Sequence, residues 1–328
     1  MSTVLITGGA GFIGSHLSDA YLAAGWKVIA LDDLSTGSLF NLRNALQSPN
    51  FEFLEGDVCD EALVRAAMSR SDLVVHLAAR IGLKLVIESP LKTLETNAKG
   101  AEVVLRCATA AQVRIILAST SEVYGLATKL PSHEDDAITF GSPAVGRWSY
   151  ACSKAYDEFL ALALARESGL PVTVVRLFNT VGPRQSARYG MVLPRFVRQA
   201  LAGEALTVYG NGSQTRCFGY VRDIVWALRT LAAEPRAVGE VFNLGSPEEI
   251  TILELAHHVI AATQSGSAIE FVPFSKAYSA GFEEIVKRMP DIGKIGALIG
   301  FKPSASIDDV IRAVVQSQRD ERAVAALT

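Results

Sequence analysis

Cysteine is scarce in this chain, which has 4 in 328 residues, and no two of them form a C-x-x-C pair. No histidine stands near any of them at ligand spacing, so the sequence indicates neither a zinc site nor a disulfide framework. We therefore expect no bound metal and read all of them as reduced thiols. They are Cys59, Cys107, Cys152 and Cys217.

The sequence also lacks an excess of charge of either sign. Its 31 Lys and Arg residues nearly balance 34 Asp and Glu residues, giving a net charge of −3, whereas nucleic-acid binding usually needs a basic surplus. The apolar stretches at 103–118 and 159–178 are interrupted by charged residues and are too short to span a bilayer. The run at 3–7 has no basic region or cleavage site before it. We expect a cytoplasmic protein with neither nucleic acid nor membrane as a partner.

Short β-rich runs recur through the first half of the chain, and helical periodicity fills several of the intervals between them. This alternation is typical of a parallel sheet with crossover helices. We therefore predict an α/β fold built on a Rossmann-type doubly wound parallel sheet. The runs cover residues 3–7, 27–32, 51–54, 73–77, 113–118 and 172–177.

A glycine-rich segment, Gly8–Gly14, directly follows the first run and precedes a stretch with helical composition. Small residues let the backbone approach a pyrophosphate, and the following helix offers free N–H groups at its positive end. Glycines alone also fit a plain tight turn. The next run, however, ends in Asp32 and Asp33, close to the acidic position that dinucleotide sites place about 20 residues beyond the glycines. Together these features indicate a dinucleotide site.

The acidic pair also predicts which dinucleotide binds. A carboxylate accepts hydrogen bonds from ribose hydroxyls but repels a 2′-phosphate. No Arg or Lys stands between Leu31 and Asn41 to receive that phosphate. We therefore predict NAD rather than NADP as the cofactor.

We predict two lobes that interleave in the sequence. Residues 1–180 hold the NAD-binding Rossmann domain, because the regular alternation gives way near residue 180. Residues 181–328 mainly form a smaller substrate lobe, although strand-like and helical patterns within 215–265 indicate a partial return to the first domain.

Tyr150 and Lys154 stand four residues apart in a helix-like stretch, so they share one face a turn apart. A nearby ammonium lowers the pKa of a phenol from about 10 and favours the phenolate as a general base. Such a pair also occurs on helix surfaces, where a Tyr covers a Lys stem. A second run ends in the hydroxyl cluster Ser119–Glu122, where Thr120 can lie against the substrate hydroxyl that Tyr150 deprotonates.

Motifs in one order cover nearly the whole chain: GGAGFIGSH, LDDLSTG, HLAA, PLKTLETN, ASTSEVYG, YACSK, RLFNTVGPR, LTVYGNGSQTR and KRMPDIGK. Through them the chain closely resembles the extended short-chain dehydrogenase/reductase family, in its group of nucleotide-sugar epimerases, dehydratases and decarboxylases. The resemblance implies an NAD-dependent enzyme, a nucleotide-sugar substrate that is UDP-linked, and a homodimer joined by helices at about 93–111 and 150–168. Cofactor-sensing regulators with this fold are the non-enzymatic alternative, but they often lack the Tyr–Lys pair.

The resemblance also implies which residues form the site. The catalytic residues would be Thr120, Glu122, Tyr150 and Lys154. Besides Tyr150 and Lys154, the cofactor would contact Gly8, Gly11, Phe12, Ile13, Gly14, Asp32, Asp33, Ser35, Thr36, Gly37, Asp57, Val58, Leu77, Ala79 and Thr93. The substrate would contact Lys92, Asn97, Ser121, Asn179, Tyr209, Gln214, Arg216 and Arg288. The arginines suit a diphosphate, to which a guanidinium donates two hydrogen bonds.

Members of this group share one first step, in which the Tyr takes the proton of the sugar 4-hydroxyl while C4 gives a hydride to NAD. The order Thr-Ser-Glu at 120–122 resembles UDP-glucuronate decarboxylases and GDP-mannose dehydratases, and 90–97 is similar to the former. We therefore predict a UDP-glucuronate decarboxylase-like activity. A UDP-sugar 4-epimerase, acting on UDP-glucose or UDP-glucuronate, is the alternative because 185–190 resembles an epimerase loop. A 4,6-dehydratase ranks third, since dehydratases commonly have Asp where this chain has Ser121.

Overall fold

The computed structural model describes residues 1–82, 89–127, 129–188, 190–277 and 287–325. Within these ranges, seven parallel strands form one sheet in the order β11-β6-β5-β4-β1-β2-β3. The strands are β1 (Thr3–Thr7), β2 (Lys27–Asp32), β3 (Phe51–Glu55), β4 (Leu73–His76), β5 (Arg114–Thr120), β6 (Val172–Leu177), β7 (Thr180–Val181), β8 (Leu206–Tyr209), β9 (Thr215–Cys217), β10 (Gly219–Tyr220), β11 (Val241–Leu244), β12 (Glu249–Thr251) and β13 (Ile269–Val272).

Helices cover both faces of this sheet, which is why most of its strands are buried runs of Val, Ile and Leu rather than alternating patterns. One face packs on α1 and α6, and the other packs on α2, α3 and α4. The helices are α1 (Phe12–Ala23), α2 (Glu61–Met68), α3 (Pro90–Ala111), α4 (Trp148–Ser168), α5 (Val192–Ala202), α6 (Val221–Ala233), α7 (Ile252–Thr263), α8 (Phe274–Ala277), α9 (Gly293–Ile299) and α10 (Ile307–Ala325). The predicted α/β fold with a doubly wound parallel sheet is confirmed.

The direction of the chain across the sheet reverses beside β1. The chain runs outward from β1 through β2 and β3, and then returns to place β4 on the other side of β1. In open α/β sheets, ligands bind in the crevice at the carboxyl ends of the strands next to such a switch point. The loops after β1 and β4 therefore border the expected ligand crevice.

A second apolar core lies among α5, α7 and α10, which pack around β8. Its central side chains include Phe196 of α5, Leu255 of α7 and Ile311 of α10, each fully buried. Short two-stranded sheets join β8 to β13 and β9 to β12 beside this core. The strand β11, although late in the chain, pairs with β6 at the edge of the large sheet.

A buried ion pair fastens α4 to the sheet. Arg176 of β6 donates from Nη2 to Oε2 of Glu158 at 2.8 Å and from Nε to Oε1 at 3.0 Å. Ser119 of β5 donates to the same Oε1 at 2.5 Å, and Arg176 also donates to the hydroxyl of Tyr124 at 3.0 Å. Because buried charges are costly unless they are paired and hydrogen-bonded, this network fixes how α4 sits on β5 and β6.

Two features are absent from the described ranges. No helix in them is both long enough and apolar enough to cross a membrane. They also contain no group of three or more His, Cys, Asp or Glu side chains placed to hold a metal ion.

Candidate active site

A cavity of about 860 Å³ opens at the carboxyl ends of the sheet strands and extends toward the second core. The loops after β1, β2, β4 and β5 form its first half, and the start of α5 together with β8 and β9 borders its second half. Tyr150 and Lys154 lie on its wall between these halves. The cavity therefore joins the two regions that the sequence assigned to cofactor and substrate.

The glycine loop after β1 has no room for side chains. A Cβ added at Gly14 would lie 2.2 Å from the carbonyl oxygen of Gly8, and one added at Gly11 would lie 3.0 Å from the same atom. Gly8 itself has φ of +70°, a conformation that favours glycine. Because α1 starts at Phe12 without a side-chain cap, its first N–H groups remain available at the cavity wall. This cradle fits the pyrophosphate of a dinucleotide.

The acidic pair after β2 is held in place by backbone amides. Asp32 accepts hydrogen bonds from the N–H groups of Ala10 at 3.0 Å and Leu34 at 2.8 Å. Asp33 accepts from both the N–H and the hydroxyl of Ser35, at 3.0 and 2.6 Å. Burial raises the pKa of Asp32 even though the backbone hydrogen bonds oppose that rise. Both carboxylates line the cavity, where a ribose could reach them.

Tyr150 and Lys154 are both buried against the end of β5. The ammonium of Lys154 donates to the carbonyl oxygen of Ala118 at 3.1 Å, and Thr120 forms a hydrogen bond with Tyr150. The spacing of Tyr150 and Lys154 predicts a lowered pKa for Tyr150, and that prediction is wrong for the free protein. Burial, followed by the charge of Glu122, raises the pKa of Tyr150 above its ordinary value, because desolvation penalises the phenolate.

Glu122 lies between two guanidinium groups. It stands in a single 3-10 turn, Ser121–Tyr124, that follows β5 directly. Arg288 donates to Oε1 of Glu122 at 2.5 Å, and Arg147 donates to Oε2 at 3.4 Å. Burial alone would raise the pKa of Glu122, but the two arginines outweigh it and hold that pKa below its usual value. Glu122 is therefore ionised in the free protein.

The second half of the cavity is rich in arginine. Tyr209 lies at the end of β8, and the guanidinium of Arg195 stands 4.3 Å from the centre of its ring. Gln214 donates to the carbonyl oxygen of Tyr209 at 3.0 Å. Positive side chains in a partly enclosed cleft suit phosphate groups. The predicted substrate contacts that line this cavity are Ser121, Asn179, Tyr209, Gln214, Arg216 and Arg288.

A sequence model of the NAD dependent epimerase/dehydratase family matches residues 4–245. The chain belongs to this family. The predicted family is confirmed, and so is the prediction of an enzyme rather than a cofactor-sensing regulator.

Two decarboxylases are similar in sequence over most of the chain. A UDP-N-acetyl-alpha-D-glucosaminuronate decarboxylase of Bacillus cytotoxicus is 41% identical over 318 residues, covering 96% of this chain and 97% of that protein. UDP-glucuronic acid decarboxylase 1 of Danio rerio is 37% identical over 315 residues, covering 95% of this chain and 72% of that protein.

Solved structures of epimerases and dehydratases share the fold. A UDP-glucose 4-epimerase of Thermotoga maritima superposes with a TM-score of 0.88 at 29% identity, covering 98% of this chain and 99% of that one. A dTDP-glucose 4,6-dehydratase of Streptomyces venezuelae, solved with NAD bound, has a TM-score of 0.88 at 30% identity and covers 98% of each chain.

Three residues that the family resemblance assigned to the site do not line the cavity. Lys92 is exposed in the first turn of α3. The buried hydroxyl of Thr93 donates to the carbonyl oxygen of Ser89 at 3.0 Å. Asn97 is also buried, and its Oδ1 accepts from the N–H of Arg80 at 2.7 Å. In this structure Asn97 fixes the loop after β4 and Thr93 bonds within its own helix turn, and the assignment of these three residues to cofactor and substrate stays a prediction.

Several arginines that were not predicted from the sequence reach the cavity from the loops and α5. The most important is Arg147, which stands three residues before Tyr150 and pairs with Glu122. Its place beside the Tyr–Lys motif was the only signal for it, because the partner lies 25 residues away in the chain. The other missed arginines on the wall are Arg80, Arg184, Arg188 and Arg195.

Proposed function

We propose that this protein decarboxylates a UDP-linked uronic acid of the UDP-glucuronate type through a 4-keto intermediate, with NAD as its cofactor. The observation that carries the proposal is the pairing of Glu122 with both Arg147 and Arg288 beside Tyr150. Two guanidiniums and one carboxylate leave one positive charge in excess. A uronic acid supplies the carboxylate that balances it, whereas the sugar of a neutral-sugar epimerase substrate does not.

The named relatives support the same substrate class. The Bacillus cytotoxicus and Danio rerio proteins are both named as decarboxylases of UDP-linked uronic acids. Their substrates, by name, differ in bearing an acetamido or a hydroxyl group on the sugar. The proposal for this chain covers the shared part, which is the nucleotide, the 4-hydroxyl and the carboxylate.

The first step is oxidation at C4. Tyr150 accepts the proton of the 4-hydroxyl, Thr120 holds the Tyr150 hydroxyl through its hydrogen bond, and the ammonium of Lys154 stabilises the phenolate. NAD, when bound, supplies the hydride acceptor. The glycine loop Gly8–Gly14 and the acidic pair Asp32 and Asp33 are the residues that would hold it.

The second step is loss of carbon dioxide. The ketone at C4 is β to the carboxylate at C6, so the C5–C6 bond can break and its electron pair can enter an enolate that includes the C4 oxygen. Arg147 and Arg288 orient the leaving carboxylate, and the Glu122 carboxylate relays a proton from water to C5 of the enolate. Hydride then returns to C4, and Tyr150 gives its proton back to the oxygen.

The lobes divide these tasks. We assign residues 1–180 to the cofactor, and residues 181–328 mainly to the UDP moiety. Tyr209, Gln214 and Arg216 border the second half of the cavity, where an aromatic ring and a guanidinium suit the base and the diphosphate. The sheet edge at β11 and helix α6 would belong to the first lobe.

The proposal also includes a homodimer. An exposed apolar stripe follows one side of α4, where Cys152, Tyr156 and Phe159 stand at helical spacing. Phe159 is 67% exposed, and Leu91 on the neighbouring α3 is 68% exposed. A second copy that packs its own α3 and α4 on this face would cover the stripe.

A substrate panel tests the proposed reaction. Purified protein with NAD should convert UDP-glucuronate to a UDP-pentose that is lighter by one carbon dioxide, as mass spectrometry and NMR of the product would record. UDP-N-acetylglucosaminuronate belongs in the panel as the second uronate, and UDP-glucose as the neutral control. Unchanged mass with inversion at C4 would instead establish an epimerase, and loss of water a dehydratase.

Two variants separate the steps. In Tyr150→Phe the first oxidation loses its proton acceptor, so turnover should fall by about 10² to 10⁴ and no NADH absorbance should appear. Glu122→Gln keeps the shape of the side chain but removes its charge and proton transfer, so NADH and a keto sugar should accumulate. A Glu122→Gln protein with full turnover and only a lower melting temperature would assign Glu122 a structural role.

Cofactor preference follows from Asp32. Calorimetry should record much tighter binding of NAD than of NADP, because the 2′-phosphate meets two carboxylates. Asp32→Asn removes the charge but keeps an acceptor oxygen for only one of the N–H groups of Ala10 and Leu34, so it should narrow the difference at some cost in stability. Comparable affinities of the unaltered protein for the two dinucleotides would contradict the assignment.

The dimer is tested on its apolar stripe. Phe159→Glu places a charge on the proposed interface and should convert a dimer to a monomer in sedimentation experiments at micromolar protein. A matched change on β13, Phe271→Glu, alters another exposed ring and should leave the dimer intact. An unaltered protein that sediments only as a monomer would disprove this part of the proposal.

A further inference from the structure

Asp157 is a buried carboxylate that the reaction as described does not use. It stands one turn after Lys154 on α4 and is completely buried. Its Oδ2 lies 3.2 Å from the Nζ of Lys154. No other group in the described part of the chain donates a hydrogen bond to either of its oxygens. The carboxylate and the ammonium therefore form an isolated buried pair directly beneath the cavity wall.

A buried ion pair at this position indicates a function, because burying a charge costs folding free energy and an apolar side chain would pack here at a lower cost in free energy. Lys154 lines the cavity, and its only other hydrogen bond in the described ranges goes to the carbonyl oxygen of Ala118. Asp157 and Ala118 together leave the ammonium little freedom to move. Asp157 has no contact with the cavity itself, so any effect on the site must pass through Lys154.

The charges around the pair leave Asp157 as the direct counter-ion of Lys154. His76 of β4 faces the ammonium, but burial and then the Lys154 charge lower the pKa of His76 to about 3, so it is neutral. Glu158, the next residue on α4, is paired with Arg176. Burial raises the pKa of Asp157 to about 6, against the opposing effect of Lys154, so it is charged at neutral pH.

We propose that Asp157 is a positioning residue that holds the Lys154 ammonium and offsets its charge, so that the site favours the oxidised cofactor over the reduced one. The nicotinamide ring is positively charged in NAD⁺ and neutral in NADH. An uncompensated buried ammonium would repel the first and not the second. With Asp157 in place the pair carries no net charge, and the enzyme rests in the form that can accept a hydride.

The inference rests on the proposed function only in taking NAD as the cofactor and Lys154 as its neighbour. Tyr150 is the other group whose pKa depends on the charge of Asp157. Asp157 and Glu122 raise its pKa, while Arg288 and the hydrogen bond from Thr120 lower it. Loss of the Asp157 charge should therefore also ease ionisation of Tyr150 and move the acid limb of the kcat/KM profile to lower pH.

The test is the ratio of the dissociation constants for NAD⁺ and NADH, measured by calorimetry on the substrate-free protein. Asp157→Asn should weaken NAD⁺ relative to NADH by on the order of tenfold, the size expected for one unit charge removed from a water-poor site. At a pH high enough to keep Asp157 ionised without its counter-ion, Lys154→Met should shift the ratio the opposite way, because it leaves the carboxylate uncompensated. The double variant should return close to the unaltered ratio.

Further variants separate the effect of the Asp157 charge from an effect on stability. Asp157→Glu keeps the charge and should keep the ratio, even where its melting temperature falls. Asp223→Asn removes a buried carboxylate that accepts from Ser304 and does not line the cavity, and should change stability alone. If Asp157→Asn does not fold, the comparison of Lys154→Met with the double variant isolates the same charge, and the double variant should bind NAD⁺ less tightly, relative to NADH, than Lys154→Met does.

Equal changes in NAD⁺ and NADH affinity on loss of Asp157 would overturn the inference, as would shifts of the same sign for Asp157→Asn and Lys154→Met. A protein that binds neither dinucleotide would instead contradict the proposed function. The two failures are therefore distinguishable.

Discussion

The ion pair between Arg176 and Glu158 is the interaction on which the geometry of the site depends. The rigid fork of the guanidinium takes both oxygens of one carboxylate and therefore fixes direction as well as distance. It ties α4 to β6 while Ser119 ties the same carboxylate to β5. Tyr150 and Lys154 on α4 thereby meet the end of β5 in one register. A looser contact would let the helix slide along the sheet and separate Tyr150 from Thr120.

Three charged groups beside the contact of α4 with β5 and β6 determine which chemistry the site can support. Glu122 comes from the end of β5, Arg147 from the turn before α4, and Arg288 from the segment before α9. The arginines keep Glu122 ionised and leave a surplus of positive charge beside Tyr150. A carboxylate on the substrate is the natural complement to that surplus. Loss of carbon dioxide and protonation of the enolate at C5 together leave a neutral sugar, so the positive surplus of the free protein returns and the charge attraction that held the sugar is gone.

The sequence predicted most of what depends on local pattern. The glycine loop, the acidic pair after β2 and the spacing of Tyr150 and Lys154 each obey a short-range rule, and the structure has them at one cavity. The sequence could not predict contacts that join distant segments, such as the ion pair of Arg288 with Glu122 across 166 residues. The pKa of Tyr150 was predicted in the wrong direction because spacing reveals a neighbouring charge but not burial. A motif also does not reveal which face of a helix turns to solvent, as at the exposed Lys92.

The central claim is that hydride leaves and returns at C4 while a carbon–carbon bond breaks at C5. Turnover of UDP-glucuronate in D₂O, followed by NMR of the product, tests it most directly. The account predicts one deuterium at C5 of the UDP-pentose, because the enolate takes its proton from exchangeable groups. It also predicts protium at C4, because that hydrogen is held through the cycle. Deuterium at C4, or a product without deuterium at C5, would contradict the account.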